Sequence, residues 1–303
     1  KTNKYREMQL AVLILAVSAS GFVVLQGPRR VPRGRLASSS VVVDDEPRTA
    51  LSDSFDGAVA DAANALITAT QRGETLVRLD FDTTGGDATY TTLKNSFEFA
   101  RGVVAAWADA VDGTVCVFFP DSGAAALAAS QWKLGTDESL VPENIRLAGF
   151  PRDKLEDGDV AVLVVCPRAS EAGATEQLIR AAELVPVALI NPELVDMGVT
   201  GFGLAGRMLK ERLLDNMLPV YCLKTIEWGA LVKTYPAPYS VYQEDPDVPG
   251  GYRFLKSTPT LPNGDDLDEI FAEFNPDDAD GGANPLAQAA EGFGKFIDNF
   301  AKL

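Results

Sequence analysis

The sequence of 303 residues contains no histidine. This absence excludes Ser-His-Asp triads, Cys-His pairs and histidine-ligated metal sites. Cysteine is also scarce, because the chain holds only Cys116, Cys166 and Cys222, far apart and each within an apolar run. Such an arrangement predicts buried free thiols rather than a disulfide framework or a zinc site. We therefore expect neither a bound metal nor a cofactor.

The chain is also poor in positive charge, with 27 basic and 43 acidic residues and a formal net charge of −16. The first 40 residues hold seven of those bases and one of those acids, so the remainder carries a net charge of −22. A body this acidic repels nucleic acid and anionic lipid. Cationic segments of a partner protein are the favoured targets.

The first residues form a candidate targeting signal. Lys1, Lys4 and Arg6 precede an uncharged stretch whose apolar centre, Leu10–Val17, is followed by small residues. This order is typical of a secretory signal, and a membrane anchor is the alternative. Residues 22–43 then lack acids and carry several arginines and serines, as transit peptides do.

A signal followed by a transit peptide resembles the two-part plastid address of algae with secondary plastids. The junction of Ala19, Ser20 and Gly21 before Phe22 is similar to the Ala-Ser-Ala before Phe of those addresses. The resemblance implies a chloroplast stromal protein, with peripheral association with the thylakoid as a further expectation.

Apolar strands alternate with helices along the body of the chain. Segments such as Leu76–Asp82 and the run before Pro167 predict strands. Ser54 is the expected cap of one helix, and either Asp121 or Ser122 is the expected cap of another. This alternation predicts an α/β fold of three layers, with a mainly parallel sheet, helices on both faces and an antiparallel C-terminal meander. The predicted organisation is a signal plus transit peptide (1–50), one α/β domain (51–274), an acidic flexible linker (275–285) and an amphipathic helix (286–303).

The predicted C-terminal helix, Leu286–Leu303, carries an apolar stripe at helical spacing. The candidate partner-binding residues on that stripe are Phe293, Phe296, Ile297 and Phe300. Two interpretations stand, because the stripe can bind a partner or fold back on the chain's own core.

A glycine-rich segment supplies the first candidate ligand site. Gly201, Gly203, Gly206 and Arg207 lead into a predicted helix, and such a loop can present backbone N–H groups to a phosphate. The alternative is a close backbone approach, with Arg207 paired to a carboxylate.

The second candidate ligand site is the Asp80–Asp82 pair at the end of a predicted strand. Asp-x-Asp-x-Thr after a strand is similar to the motif of haloacid-dehalogenase-type phosphatases, in which both carboxylates work beside magnesium. The alternative is a turn rich in Asp, Thr and Gly.

Several segments in order resemble one family, the plant and cyanobacterial family of domain of unknown function 1995. The pieces are FPDSGAAALA (Phe119–Ala128), LINPEL (Leu189–Leu194), VTGFGLAGRMLKERLL (Val199–Leu214) and the stretch Val220–Asp245. Plant members include a low-photosystem-II-accumulation factor that aids insertion of an inner-antenna chlorophyll protein. The family has no established catalytic residues, so the resemblance assigns none to this chain.

The resemblance implies a non-catalytic chloroplast factor that assists photosystem II biogenesis by binding a nascent or partner protein. The expected partner is a photosystem II subunit or the insertion machinery. The alternative from a different class is an enzyme or sensor that binds a phosphorylated metabolite or nucleotide through Gly201–Arg207 or Asp80–Asp82.

The N-terminal composition generates a first prediction, that the mature protein lacks about 40–50 residues. Sequencing of the mature N-terminus by Edman degradation should find a start between Phe22 and Ser52. Retention of Leu10–Val17 in a thylakoid-integral protein would instead support the membrane anchor.

Overall fold

The computed structural model describes residues 47–82, 91–194, 208 and 211–276. Its helices are α1 (Phe55–Gln71), α2 (Thr91–Asp109), α3 (Ser122–Gln131), α4 (Ala172–Ala182) and α5 (Gly264–Phe274). Its strands are β1 (Leu76–Asp82), β2 (Thr114–Phe119), β3 (Ile145–Gly149), β4 (Asp159–Val165), β5 (Val187–Ile190), β6 (Leu218–Ile226), β7 (Gly229–Thr234), β8 (Tyr239–Glu244) and β9 (Tyr252–Thr258). Among these described helices, none combines the length and apolar character needed to cross a bilayer.

The nine strands form one sheet in the order β3-β2-β4-β5-β1-β6-β7-β8-β9. The pairings from β3 through to β6 are parallel, and those from β6 to β9 are antiparallel. Parallel neighbours need crossover connections, which α2, α3 and α4 supply, whereas the last strands are joined by short turns. The predicted fold class, a mainly parallel sheet closed by an antiparallel meander, is confirmed.

Side-chain caps fix where the helices begin. The Ser54 hydroxyl accepts a hydrogen bond from the N–H of Gly57 at 3.2 Å, and the Asp121 carboxylate accepts one from Ala124 at 2.8 Å. Each cap satisfies one of the free N–H groups in the first turn of its helix. The predicted cap Ser54 is confirmed, and of the two candidates for the second cap the structure selects Asp121.

The sheet is covered on both faces, which we call the front and the back. On the front, α1, α2 and α3 pack on the sheet in the largest apolar cluster, around Leu66, Phe99 and Trp107. On the back, α4 covers β2, β4 and β5, while Ile270 of α5 packs against the meander. The back face therefore has two separate apolar clusters.

Asn191, directly after β5, extends that strand with its side chain. Its backbone adopts a φ of 45°, and its amide side chain accepts from the N–H of Phe81 at 2.7 Å and donates to the Phe81 carbonyl at 2.8 Å. The same amide donates to the hydroxyl of Ser96 in α2 at 2.9 Å. One side chain thus continues the pairing with β1 and ties α2 to the sheet.

A short N-terminal arm, Pro47–Ala50, is part of the packed body. The buried Thr49 donates its N–H to the Ser240 hydroxyl at 2.8 Å and accepts from the Tyr242 hydroxyl at 2.6 Å. Its own hydroxyl donates to the Pro238 carbonyl at 3.1 Å. The body therefore includes residues just upstream of position 51, and a processing cut beyond Thr49 would remove this anchor.

The segment Pro219–Lys233 forms two strands, β6 and β7, joined by a tight turn at Glu227 and Trp228. The turn depends on Gly229, because a Cβ there would collide with the carbonyl oxygen of Tyr242. Here glycine is required by the closeness of a neighbouring strand rather than by its own backbone angles.

We predict that Asn191→Ala lowers the free energy of unfolding by about 2–4 kcal/mol, because it removes two hydrogen bonds to the buried backbone of Phe81 and one to Ser96. Asn191→Gly should cost about 1 kcal/mol less, since glycine adopts a positive φ readily. Urea denaturation measures both, with the exposed Gln177→Ala as the control. Wild-type stability in the glycine variant would show that the amide bonds contribute nothing.

Candidate functional site

Charged residues lie on the back face of the sheet between its two apolar clusters. Leu79 and Phe81 of β1 are buried in the front core, so the alternating Arg78, Asp80 and Asp82 belong to the back. The charged strip consists of these three residues with Lys224 of β6 and Lys233 of β7. Burying a charge in a central strand costs free energy unless a partner offsets the lost solvation.

The strand register brings the members of the charged strip into rows. Asp80 lies opposite Cys222, and Cys222 in turn lies opposite Lys233. In the next row Asp82 lies opposite Lys224. Directly opposed positions on one face of a sheet are close enough for their side chains to interact. One row therefore runs from a carboxylate in β1 through a thiol in β6 to an amine in β7.

Arg78 and Asp80 form the ion pair at the start of the charged strip. The Arg78 Nε lies 2.8 Å from the Asp80 carboxylate, and the side chains keep 30% and 20% of their exposure. Burial raises the pKa of Asp80, while Arg78 and Lys224 oppose that shift. The pair is therefore partly desolvated, and the Arg78 guanidinium favours the ionised form of the Asp80 carboxylate against the effect of burial.

Lys233 is the most buried cation of the charged strip, with 8% of its surface exposed. Its ammonium donates to the Ala237 carbonyl at 2.8 Å and lies 4.9 Å from the centre of the Tyr239 ring. Within the described part of the chain, no carboxylate forms a salt bridge with it. Burial accordingly lowers the pKa of Lys233.

Cys222 separates Asp80 from Lys233 and is not a ready nucleophile. Burial, with the nearby Asp80 carboxylate, raises the pKa of its thiol. Burial likewise raises the pKa of Cys166 to about 11 and that of Cys116 to about 12. All three cysteines are buried and free, as the sequence predicts, and a protonated thiol reacts poorly.

The phosphatase interpretation of Asp80 and Asp82 requires carboxylates that converge on a magnesium ion. Asp80 lies inside β1 and its carboxylate is engaged by Arg78, whereas Asp82 is the last residue of the strand. Among the described residues, no group of three or more Asp, Glu, Cys or His is arranged to hold a metal.

The other predicted site residues lie outside the described residues. These are the glycine-rich set (Gly201, Gly203, Gly206 and Arg207) and the C-terminal stripe (Phe293, Phe296, Ile297 and Phe300). Both interpretations of each set therefore stay predictions.

Sequence reasoning missed Lys224 and Lys233 as members of a site. A signal for the strip is present in LVRLDFD, where Arg78, Asp80 and Asp82 alternate with apolar residues in an otherwise buried strand. That alternation places three charges on one face of β1. It does not indicate which residues of β6 and β7 stand beside them.

Comparison with known families gives one finding for this fold. The model of a family described as Domain of unknown function (DUF1995) matches residues 53–269. The matched range begins just before α1 and ends within α5, so it includes all nine described strands. No curated protein matches the chain.

The ion pair yields a prediction with a matched control. Arg78→Ala should lower the free energy of unfolding by about 2–3 kcal/mol near neutral pH, because the partly buried Asp80 carboxylate loses its ion pair with the guanidinium. Arg180→Ala, which removes the pair between a guanidinium that is 70% exposed and Glu176 at 2.7 Å, should cost less than about 1 kcal/mol. Denaturant titrations of both variants provide the comparison.

The pH dependence of the Arg78→Ala penalty has a definite sign. Because the folded pKa of Asp80 is raised, its ionisation opposes folding, and stability is lost as pH rises through that pKa. Removing Arg78 raises this pKa further, so the penalty should be largest near neutral pH and shrink as Asp80 is protonated. A penalty that does not change with pH would contradict the assignment of Asp80 as the partner.

Proposed function

Because the chain belongs to the family of domain of unknown function 1995, we propose that it is a non-catalytic chloroplast factor that assists photosystem II biogenesis. In this role it binds a nascent protein or an assembly partner, either a photosystem II subunit or a component of the insertion machinery. It works in the stroma, with peripheral association with the thylakoid.

The observation that carries this proposal is the family match over the α/β body, residues 53–269. The plant members that the sequence resembles include a factor that aids insertion of an inner-antenna chlorophyll protein. Transfer of a role between members of one family is an analogy, so it needs an experiment of its own.

The charge of the chain supports a protein partner over nucleic acid or an anionic bilayer. Outside the first 40 residues, 42 acids stand against 20 bases. This field repels polyanions and attracts cationic segments at a distance of about 10 Å in moderate salt. The predicted C-terminal stripe adds apolar contact to this electrostatic attraction.

The charged strip favours a second candidate function, the binding of a phosphorylated metabolite or nucleotide. Its specific support is Lys233, a buried ammonium that forms no salt bridge within the described residues. An anionic group bound there would supply the missing countercharge. Gly201–Arg207, if they cradle a phosphate, would serve the same ligand.

The apolar stripe provides the test of the proposed function. Replacement of Phe293, Phe296, Ile297 and Phe300 by alanine should sharply reduce recovery of photosystem II subunits when the tagged protein is purified from thylakoids. The thermal midpoint should stay within about 2 °C of wild type, because the stripe binds a partner rather than the core. Leu184→Ala, at a side chain that is 86% exposed, is the control.

Two outcomes contradict this assignment. A large fall in the thermal midpoint with unchanged partner recovery would show that the stripe belongs to the core. Absence of photosystem II subunits, together with a rise of several degrees in the presence of ATP or a sugar phosphate, would favour the second candidate.

A further inference from the structure

A shallow groove of about 300 Å³ lies between β9 and α5. We call it the β9–α5 groove. Its apolar wall consists of Pro259 and Pro262, from the turn after β9, and Ile270 of α5. This volume is at the lower end of the range for binding clefts, enough for a few side chains rather than for a large cofactor.

Exposed apolar side chains stand at both ends of the groove. Leu261 lies in the turn between Pro259 and Pro262 and is 51% exposed, and Phe274 ends α5 and is 40% exposed. Ile270, which also lines the groove, is buried against the meander and anchors α5 to the sheet. The apolar surface left over is available for contact with another molecule.

The rim of the β9–α5 groove is acidic. Asp266, Glu269 and Glu273 line it from α5, and Lys256 is the basic residue among its lining side chains. Lys256 is paired with Glu273 at 2.8 Å, and Asp266 accepts the N–H of Asn263 in the helix cap. Glu269 has no salt bridge among those described, so the rim retains negative charge.

We propose that the β9–α5 groove binds a short cationic segment of a partner protein, whose apolar side chains contact the exposed Pro259 and Leu261. The inference rests on the proposed function and names the chemistry of the partner. Charge complementarity identifies the occupant, because the acidic rim repels anionic lipid and a second copy of this acidic chain. Contact with apolar side chains distinguishes the proposed binding from a purely electrostatic attraction.

The length of α5 sets the size of the bound segment. The helix has 11 residues, which span about 16 Å at the rise of an α-helix. A bound helix of about three turns, or an extended segment of about five residues, covers that distance. A recognised sequence therefore carries basic residues and one or two apolar anchors within one short stretch.

The test uses the full chain and a labelled amphipathic peptide of about 12 residues made of leucine and lysine. Fluorescence anisotropy should show salt-dependent binding, which a leucine–glutamate peptide should lack. Glu269→Lys should weaken the affinity at least about fivefold. Asp268→Lys, the same change of charge one residue earlier and outside the groove lining, should alter it less than about twofold.

The exposed side chain of Leu261, which lies in sequence between two lining residues, is tested with its own variant and its own peptide. Leu261→Ser should weaken binding about threefold, whereas Leu184→Ser, on a distant exposed loop, should not. A peptide of lysine and serine should bind more weakly than the leucine–lysine peptide. Matching thermal midpoints of the variants would show that each change acts on binding rather than on folding.

Equal weakening by Glu269→Lys and Asp268→Lys would overturn the proposal, because it would mean diffuse attraction to an acidic surface. Binding of phosphatidylglycerol vesicles, or a dimer that Glu269→Lys dissociates, would assign the groove to a membrane or to a second copy. If the Glu269→Lys protein still recovered photosystem II subunits, the proposed role of the groove would be wrong and the proposed function would stand. If the wild-type protein failed to recover these subunits, the proposed function would be wrong. The peptide measurements would then still decide whether the groove binds a cationic segment.

Discussion

The amide side chain of Asn191 determines how the parallel half of the sheet meets its helices. β5 stops at Ile190 while β1 runs on to Asp82, so the end of β1 extends beyond the last residue of β5 that pairs with it. The Asn191 amide carries a donor and an acceptor in the geometry of a peptide group, and it pairs with both polar groups of Phe81. Its additional bond to Ser96 holds α2 above the same point. The central strand can therefore extend beyond its neighbour without leaving buried backbone unsatisfied.

Elements that are continuous in sequence could be predicted, and contacts between distant elements could not. The apolar run of β4 and the capping residues Ser54 and Asp121 act within a few residues, so their patterns show in the sequence. The role of Asn191 depends on β5 being shorter than a strand that lies 110 residues away. Nothing local to Asn191 records that difference in length.

The charged strip shows the same limit at the candidate site. Alternation in β1 indicates that Arg78 and Asp80 share a face, but the position of Lys233 follows from two successive strand registers. Burying that lysine costs free energy, which its carbonyl acceptor and the Tyr239 ring offset only in part. Lys233 is therefore a position on the back face at which the fold gives up some stability.

The arm at Thr49 also constrains the order in which the chain completes its structure. Thr49 bonds to Tyr242, which lies 193 residues further along the chain. Whether the polypeptide leaves a ribosome or crosses a membrane pore with its N-terminus first, Thr49 emerges long before its partners do. The parallel strands can assemble in that interval, but the final seal must wait until β8 has followed. The molecule thus closes by joining a segment that is synthesised before α1 to a strand that is synthesised near its end, and a chain truncated before β8 lacks these bonds.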